Sequence, residues 1–131
     1  MDREPGLREP GGDGVSLESK RINISEVVGV TTSHNSGTKK VLLPSYEQPV
    51  LIKQVALGIL EQGEKVDAHT HPDMDEHYFF LRGNGLMRVD DQVYRLAPGD
   101  FVLVRAGSEH ELHCDIEKLE FYYQGFQLLS P

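Results

Sequence analysis

The chain has 131 residues, enough for one compact domain with its own hydrophobic core. Its 21 acidic and 13 basic residues give a formal net charge of −8. That balance argues against a nucleic acid or an anionic membrane as a partner, because both require clustered Lys and Arg. The sequence contains no apolar run of about 18 residues, and the N-terminal MDREPGLREP has no apolar core of the kind found in signal peptides.

Cysteine content limits the kinds of site that the chain can build. Cys114 is the only cysteine, which excludes a disulfide framework and a zinc finger. We therefore expect a protein of the reducing cytoplasm. Any metal ion must be bound mainly by the six histidines and the carboxylates.

The first twenty residues differ in composition from the rest. Residues 1–20 contain four glycines, two prolines and eight charged residues, with almost no large apolar side chains. Such a segment buries too little surface to offset the entropy lost on ordering. We predict a flexible tail over residues 1–20 and a single domain over residues 21–131.

Short β-branched or aromatic runs, separated by turn residues, recur along the rest of the chain. No stretch has a sustained helical period, although residues 25–28 favour a short turn. Many short strands at this spacing are typical of an antiparallel sandwich or barrel. The predicted strands are residues 26–30, 40–43, 50–60, 76–81, 86–89, 92–96, 101–104, 111–114 and 118–126.

Two histidines and a glutamate lie close together near the middle of the sequence. His69 and His71 are two residues apart, so their side chains leave the same face of a strand. Glu76 follows after a short bend and begins the next predicted strand. Two imidazoles and a carboxylate form a ligand set that suits Fe(II), Mn(II), Ni(II) or Zn(II) and leaves coordination positions open.

The region around these residues resembles the first motif of the cupin superfamily. That motif has a glycine, an H-x-H pair, a glutamate and a second glycine at fixed spacings, and the chain supplies Gly63, His69, His71, Glu76 and Gly83. The stretch HTHPDMDE is similar to the germin version. A motif this long is far more specific than an isolated H-x-H pair.

A second stretch resembles the second cupin motif, with two departures. Gly99, Gly107 and His110 match the motif. Arg105 stands where a proline is usual, and Cys114 stands where an asparagine is usual. The resemblance implies that His110 is the fourth metal ligand, arriving from a strand distant in sequence.

The resemblance implies an all-β fold, the double-stranded β-helix or jelly-roll barrel of cupins, over about residues 21–126. It also implies one divalent metal ion, Zn, Fe, Mn or Ni, held by His69, His71, Glu76 and His110. Cys114 is expected to be a small buried apolar residue, since the sequence places no base beside it.

Tyr78 and Lys53 are candidate catalytic residues. Tyr78 shares the face of Glu76 and carries a hydroxyl that needs a partner when buried. Lys53 interrupts an apolar set with two-residue spacing. If that set faces inward, the amine lies in the cavity, and otherwise the assignment of faces is wrong. The set is Leu51, Val55, Leu57 and Ile59.

Residues that alternate with Tyr78 along the same strand lead us to predict a homodimer. His77, Phe79 and Leu81 should face outward, and two large apolar groups on a sheet exterior need a cover. A second subunit is one cover, and the resemblance implies sheet-to-sheet packing. The alternative cover is the chain's own predicted strands at 26–30 or 40–43.

Three functions remain open, because a fold does not decide chemistry. The first is a non-redox metalloenzyme, an isomerase or a lyase, that acts on a small oxygenated molecule such as a sugar, sugar phosphate or keto acid. The second is an Fe(II)-dependent dioxygenase with the same ligands. The third is a non-catalytic module that binds a small ligand. The first is favoured because small single-domain cupins are often associated with carbohydrate metabolism.

Overall fold

A computed structural model describes residues 17–34 and 36–129 of the chain. This part contains nine β-strands, one 3₁₀ helix, and no helix long and apolar enough to cross a membrane. The strands are β1 (Lys20–Asn23), β2 (Val30–Thr31), β3 (Thr38–Lys39), β4 (Val50–Leu60), β5 (Lys65–Thr70), β6 (Met74–Val89), β7 (Gln92–Leu96), β8 (Asp100–Val104) and β9 (Glu109–Leu128), and the 3₁₀ helix is Ile24–Glu26.

Two long antiparallel strands, β6 and β9, organise the sheet. They pair from Met74 opposite Gln127 to Val89 opposite His110. The first half of β6 also pairs with β8, and its second half pairs with β7. The first half of β9 also pairs with β5, and its second half pairs with β4. β1 extends the sheet beside β8, and β2 pairs only with β3. This is the predicted all-β jelly-roll barrel.

The barrel is filled by one cluster of aromatic and aliphatic side chains. Alternate residues of β6 and β9 point into it, as expected for strands with one buried face. Gly83 lies in β6 between the part that pairs with β8 and the part that pairs with β7. Its φ of +93° and its close approach to the Lys118 carbonyl leave no room for a Cβ. The buried cluster is Tyr78, Phe80, Met87, Val89, Leu96, Val102, Val104, Leu112, Cys114, Leu119 and Phe121.

Some predicted strands differ from the observed ones. Runs 76–81 and 86–89 belong to one strand, as do runs 111–114 and 118–126, and residues 40–43 form no strand.

Residues 26–30 were predicted to form a strand but begin in the 3₁₀ helix, because Asn23 and Glu26 form a capping box. The Asn23 side chain accepts from the Ser25 amide, and the Glu26 carboxylate accepts from the Asn23 amide.

Most of the predicted tail, residues 1–16, lies outside the described residues, so its flexibility remains a prediction. The last residues of the predicted tail contact the barrel: Lys20 pairs with Leu103 in the sheet, and the Ser19 hydroxyl accepts from the Arg105 amide at 2.8 Å.

Candidate metal centre

Four side chains from three strands converge at one end of the barrel. His69 is in β5, His71 directly follows β5, Glu76 is in β6, and His110 lies opposite His69 in β9. Each offers one ligand atom, and these atoms all lie within 4.8 Å of one another. Glu76 and His110 are buried, whereas His69 and His71 are half-buried. The four side chains could therefore hold one metal ion.

The backbone sets the tautomer of two of these histidines. The Nδ1 of His69 lies 2.8 Å from the Asp67 carbonyl oxygen, and the Nδ1 of His110 lies 3.1 Å from the Ser108 carbonyl oxygen. A carbonyl oxygen only accepts, so each Nδ1 must carry the hydrogen. The Nε2 of each neutral ring then keeps its lone pair for the cluster, which is the usual arrangement of a metal-ligating histidine.

The Nε2 of His110 shows that the cluster suits a cation. It is buried and has no hydrogen-bond partner in the described part of the chain, although it lies 2.9 Å from the Glu76 Oε1. In the tautomer set by Ser108, this contact brings a nitrogen lone pair against a carboxylate oxygen. A divalent cation beside both atoms would satisfy them, so the residues present fit such an ion.

Tyr78 fixes the orientation of the Glu76 carboxylate. Its hydroxyl donates to the Oε1 of Glu76 at 2.9 Å. Burial alone would raise the pKa of Glu76, but the Tyr78 hydroxyl and, when they are protonated, the His110 and His71 rings lower it below its ordinary value. Burial, followed by the Glu76 charge, raises the pKa of Tyr78. At neutral pH Glu76 is thus an anion and Tyr78 a neutral donor.

Behind Glu76 lies a buried ion pair that the sequence did not reveal. Asp75 is fully buried and accepts from the Arg105 Nε at 3.2 Å, from the Ala106 amide at 2.7 Å and from the Tyr46 hydroxyl at 3.2 Å. Burial, then Asp75, raises the pKa of Tyr46 to about 12. Arg105, which stands where the second motif usually has a proline, thus neutralises the buried charge of Asp75, the residue next to Glu76.

The bend that carries His71 is tied to neighbouring strands. The Gly107 amide donates to the His71 carbonyl at 2.9 Å, and the Leu128 amide donates to the Asp73 carbonyl at 2.7 Å. Gly107 adopts a φ of +90°, which favours glycine. The motif glycine therefore helps to place a candidate ligand.

Two cavities meet at the cluster. One, of about 420 Å³, is lined mainly by residues with polar side chains; the other, of about 240 Å³, reaches residues of the barrel core and has walls of mixed polarity. We call them the outer and the inner cavity. Glu76 and Tyr123 line both. Lys53, Gln54, His71, Asp73 and Gln127 also line the outer cavity, and His69, Tyr78, His110, Leu112 and Phe121 also line the inner one.

Lys53 lines the outer cavity, whereas Leu57 of the same apolar set lies outside it. Leu57 lies in a groove on the sheet exterior, so simple alternation would put Lys53 there too. The register of β4 shifts between Ile52 and Gln54, and this β-bulge turns Lys53 towards the cavity. Lys53 thus lines the cavity although Leu57, from the apolar set that it interrupts, does not face inward, and its catalytic role stays a prediction.

Three further residues near the candidate metal centre were not identified from the sequence. Tyr123 stacks on Tyr78 at 5.6 Å between ring centroids, and its hydroxyl accepts from Gln54 at 2.8 Å. Its alternation with Phe121 in a predicted strand could have identified it. Asp75 and Tyr46 could not have been found in this way, because their contacts join residues about thirty positions apart in sequence.

Cys114 is buried, and its thiol donates to the Glu117 carbonyl, in keeping with a small apolar residue that takes no part in the site.

The fold and the site together define a class of proteins: small jelly-roll barrels in which three histidines and one glutamate could hold a metal ion beside a cavity. Residues 56–122, more than half of the chain, match the family model described as the Cupin domain. The chain belongs to the cupin family.

Individual relatives extend this result. An uncharacterized protein of Methanocaldococcus jannaschii is 27% identical over 98 residues, which cover 75% of this chain and 78% of that protein. The structure of a predicted oxalate decarboxylase of Thermotoga maritima superposes with a TM-score of 0.56 at 25% identity, covering 60% of this chain and 68% of the other. An inferred sugar phosphate isomerase of Acidithiobacillus ferrooxidans gives a TM-score of 0.52 at 28% identity, covering 56% of this chain and 49% of the other.

Proposed function

We propose that the chain is a non-redox metalloenzyme, an isomerase or a lyase, acting on a small oxygenated molecule. The observation that carries the proposal is that two of the four clustered candidate ligands, His71 and Glu76, line the outer cavity, whose volume of about 420 Å³ suits a small molecule. Similarity to proteins named as an oxalate decarboxylase and a sugar phosphate isomerase supports this class.

The residues of the site have distinct roles in this proposal. A divalent ion at the cluster would act as a Lewis acid towards the oxygens of a substrate. Glu76 supplies negative charge at the cluster, and Tyr78 holds that carboxylate in place through its 2.9 Å hydrogen bond. Tyr78 is therefore a positioning residue, because a buried phenol with a raised pKa is a poor general base.

Solvent exchange tests the proposed chemistry directly. Isomerisation, and many lyase reactions, remove a proton from the carbon next to a carbonyl or hydroxyl group. The metal-loaded protein should catalyse deuterium incorporation from D₂O into a member of a panel of aldoses, sugar phosphates and 2-keto acids, as measured by ¹H NMR. The His71→Ala variant should not. Absence of exchange and turnover across the panel would contradict the proposal.

The inner cavity keeps the dioxygenase as a second candidate. Its walls include Leu112 and Phe121, an apolar surface that suits an aromatic or aliphatic substrate. Stoichiometric oxygen uptake by the iron-loaded protein with such a substrate would favour this function. A tightly held small molecule that is never converted would favour the non-catalytic module instead.

Loss of the Tyr78 hydroxyl should weaken metal binding while preserving the fold. We expect Tyr78→Phe to lower metal affinity roughly tenfold, because removing partners of metal ligands costs about 10- to 100-fold. Competition with a chromophoric chelator measures this. Tyr122→Phe, on the sheet exterior, is the matched control and should bind metal as the wild type does. Equal affinity of the Tyr78 variant and the wild type would remove the proposed role.

We also propose that the chain forms a homodimer through its outer sheet face. An apolar groove of about 490 Å³ lies there, lined by His77, Phe79 and Leu81. Leu42 covers part of it, so the chain's own segment supplies only some of the cover. Leu57 is 59% exposed and Leu81 44% exposed, which supports a second copy on this face.

Sedimentation at micromolar concentration tests the dimer. Phe79→Asp and Leu81→Asp should each weaken self-association about thirtyfold or more, because each places a charge in an apolar interface. Val93→Asp, at a residue that is 62% exposed on β7, controls for surface charge. A monomeric wild type, or variant dimers as tight as the wild type, would rule out this interface.

A further inference from the structure

The β-bulge at Lys53 makes this lysine one of the residues that line the outer cavity. In the register of β4 with β9, Ile52 lies opposite Phe126 and Gln54 lies opposite Gly125, so Lys53 is the extra residue. Bulges re-aim side chains and are frequent beside functional sites. As a result Lys53 and Gln54, although consecutive, both line the cavity that contains Glu76 and His71.

The electrostatic surroundings of Lys53 are unusual for this chain. The formal net charge is −8, yet Lys53 forms no ion pair with any residue in ranges 17–34 and 36–129, and it is the only Lys or Arg among the residues that line the outer cavity. Asp73, an acidic residue in the same lining, accepts from the side-chain amide of Gln127 at 3.1 Å. The amine is a point charge with three donors, available to a ligand.

The cavity thus offers two separate means of binding. It is lined by His71 and Glu76, two of the four candidate metal ligands that lie within 4.8 Å of one another. It is also lined by Lys53, a cation without an ion pair in the described part of the chain, which adjoins the same space of about 420 Å³. A molecule that uses both would have oxygens at one end and an anionic group at the other.

We propose that Lys53 binds the anionic group, a phosphate or a carboxylate, of a substrate whose other oxygens reach the His69–His71–Glu76–His110 cluster. The assignment rests on the proposed function and narrows its substrate class to anionic compounds. Lys53 is then a binding residue for the substrate anion, and proton transfer falls to other groups.

Anion binding in the presence and absence of metal tests this inference. Inorganic phosphate and malonate are titrated by calorimetry into the full-length wild type, as purified and after chelation of metal. Lys53→Gln should lower the affinity for the better-bound anion about tenfold or more, whereas Lys53→Arg should retain it. Lys65→Gln makes the same change in net charge outside the cavity, since Lys65 on β5 pairs with Asp67 at 3.4 Å, and should bind as the wild type does.

The outcomes separate this inference from the proposed function. Preferential binding of phosphate or of malonate, lost in Lys53→Gln but kept in Lys65→Gln, supports the inference and identifies the anion class. Equal affinities for the wild type and Lys53→Gln, equal losses in both Lys-to-Gln variants, or no binding of either anion would overturn it, even if metal binds at the cluster. Lys53-dependent binding to a protein that takes up no metal would support the anion site and contradict the metal chemistry alone.

Discussion

Replacing both His71 and His110 with Ala should remove the divalent metal while the barrel stays folded. The variant keeps only His69 and Glu76, and we expect affinity to fall more than about 100-fold, since the loss of outer partners alone costs about 10- to 100-fold. Elemental analysis of the purified protein gives the metal content, and circular dichroism gives the fold. His71→Ala alone is a second variant, because His71 is half-buried at a strand end and its loss perturbs the core little.

A matched control is available on the barrel surface. His113 contacts Glu111 at 2.9 Å and is not among the candidate ligands, so His113→Ala removes an imidazole while leaving all four ligands in place. It should retain the wild-type metal content. Full occupancy in the double variant, or equal losses in the double variant and His113→Ala, would contradict the assignment of the ligands.

Loss of Arg105 should be among the most destabilising changes on the barrel. Arg105→Ala leaves Asp75 with 0% exposure and without its cation. Breaking a buried ion pair costs roughly 3–5 kcal/mol. Because Asp75 keeps its hydrogen bonds from Ala106 and Tyr46, we expect about 3 kcal/mol, measured as the free energy of unfolding in urea.

An exposed ion pair provides the control for Arg105. Arg95 pairs with Asp115 at 3.1 Å, with 59% of the Arg95 side chain exposed, and Arg95→Ala should lower stability by no more than about 1 kcal/mol. A cycle with Asp75→Asn should give a coupling of about 1 kcal/mol or more between Asp75 and Arg105. Additive effects of the two replacements would show that the pair does not act as a unit.

The proline usual at this position in the second motif should not substitute for Arg105. The Arg105 amide donates to the Ser19 hydroxyl at 2.8 Å, and proline has no amide hydrogen. Arg105→Pro should therefore be at least as unstable as Arg105→Ala in the same urea measurement. If Arg105→Pro were as stable as the wild type, the contacts of Arg105 would not explain this departure from the family.

The parts of the fold and site that the sequence revealed are those that depend on local spacing. His69 and His71 are close in sequence to Glu76, and the strand patterns of β4 and β7 have the bounds expected from their residues. The cupin family was recognisable because its motifs fix several residue types at once. His110 was identified as a candidate ligand only through that resemblance, because its pairing with His69 joins strands distant in sequence.

Features that depend on irregular backbone were not predictable. Residues 82–85 have the composition of a turn, yet β6 continues through them with shifts of register. The bulge at Lys53 reverses the face that alternation assigns to it. The Asp75–Arg105 pair depends on tertiary contacts between residues thirty positions apart. In each case, a packing constraint outweighs the local pattern.

Anomalous X-ray scattering at the absorption edge of the metal tests the central claim most directly. Crystals of the protein as purified should show one anomalous peak per chain, within about 2.0–2.3 Å of nitrogen atoms of His69, His71 and His110 and of an oxygen of Glu76. A metal-loaded crystal whose only peak lies elsewhere, for example beside Glu111 and His113, would contradict the account.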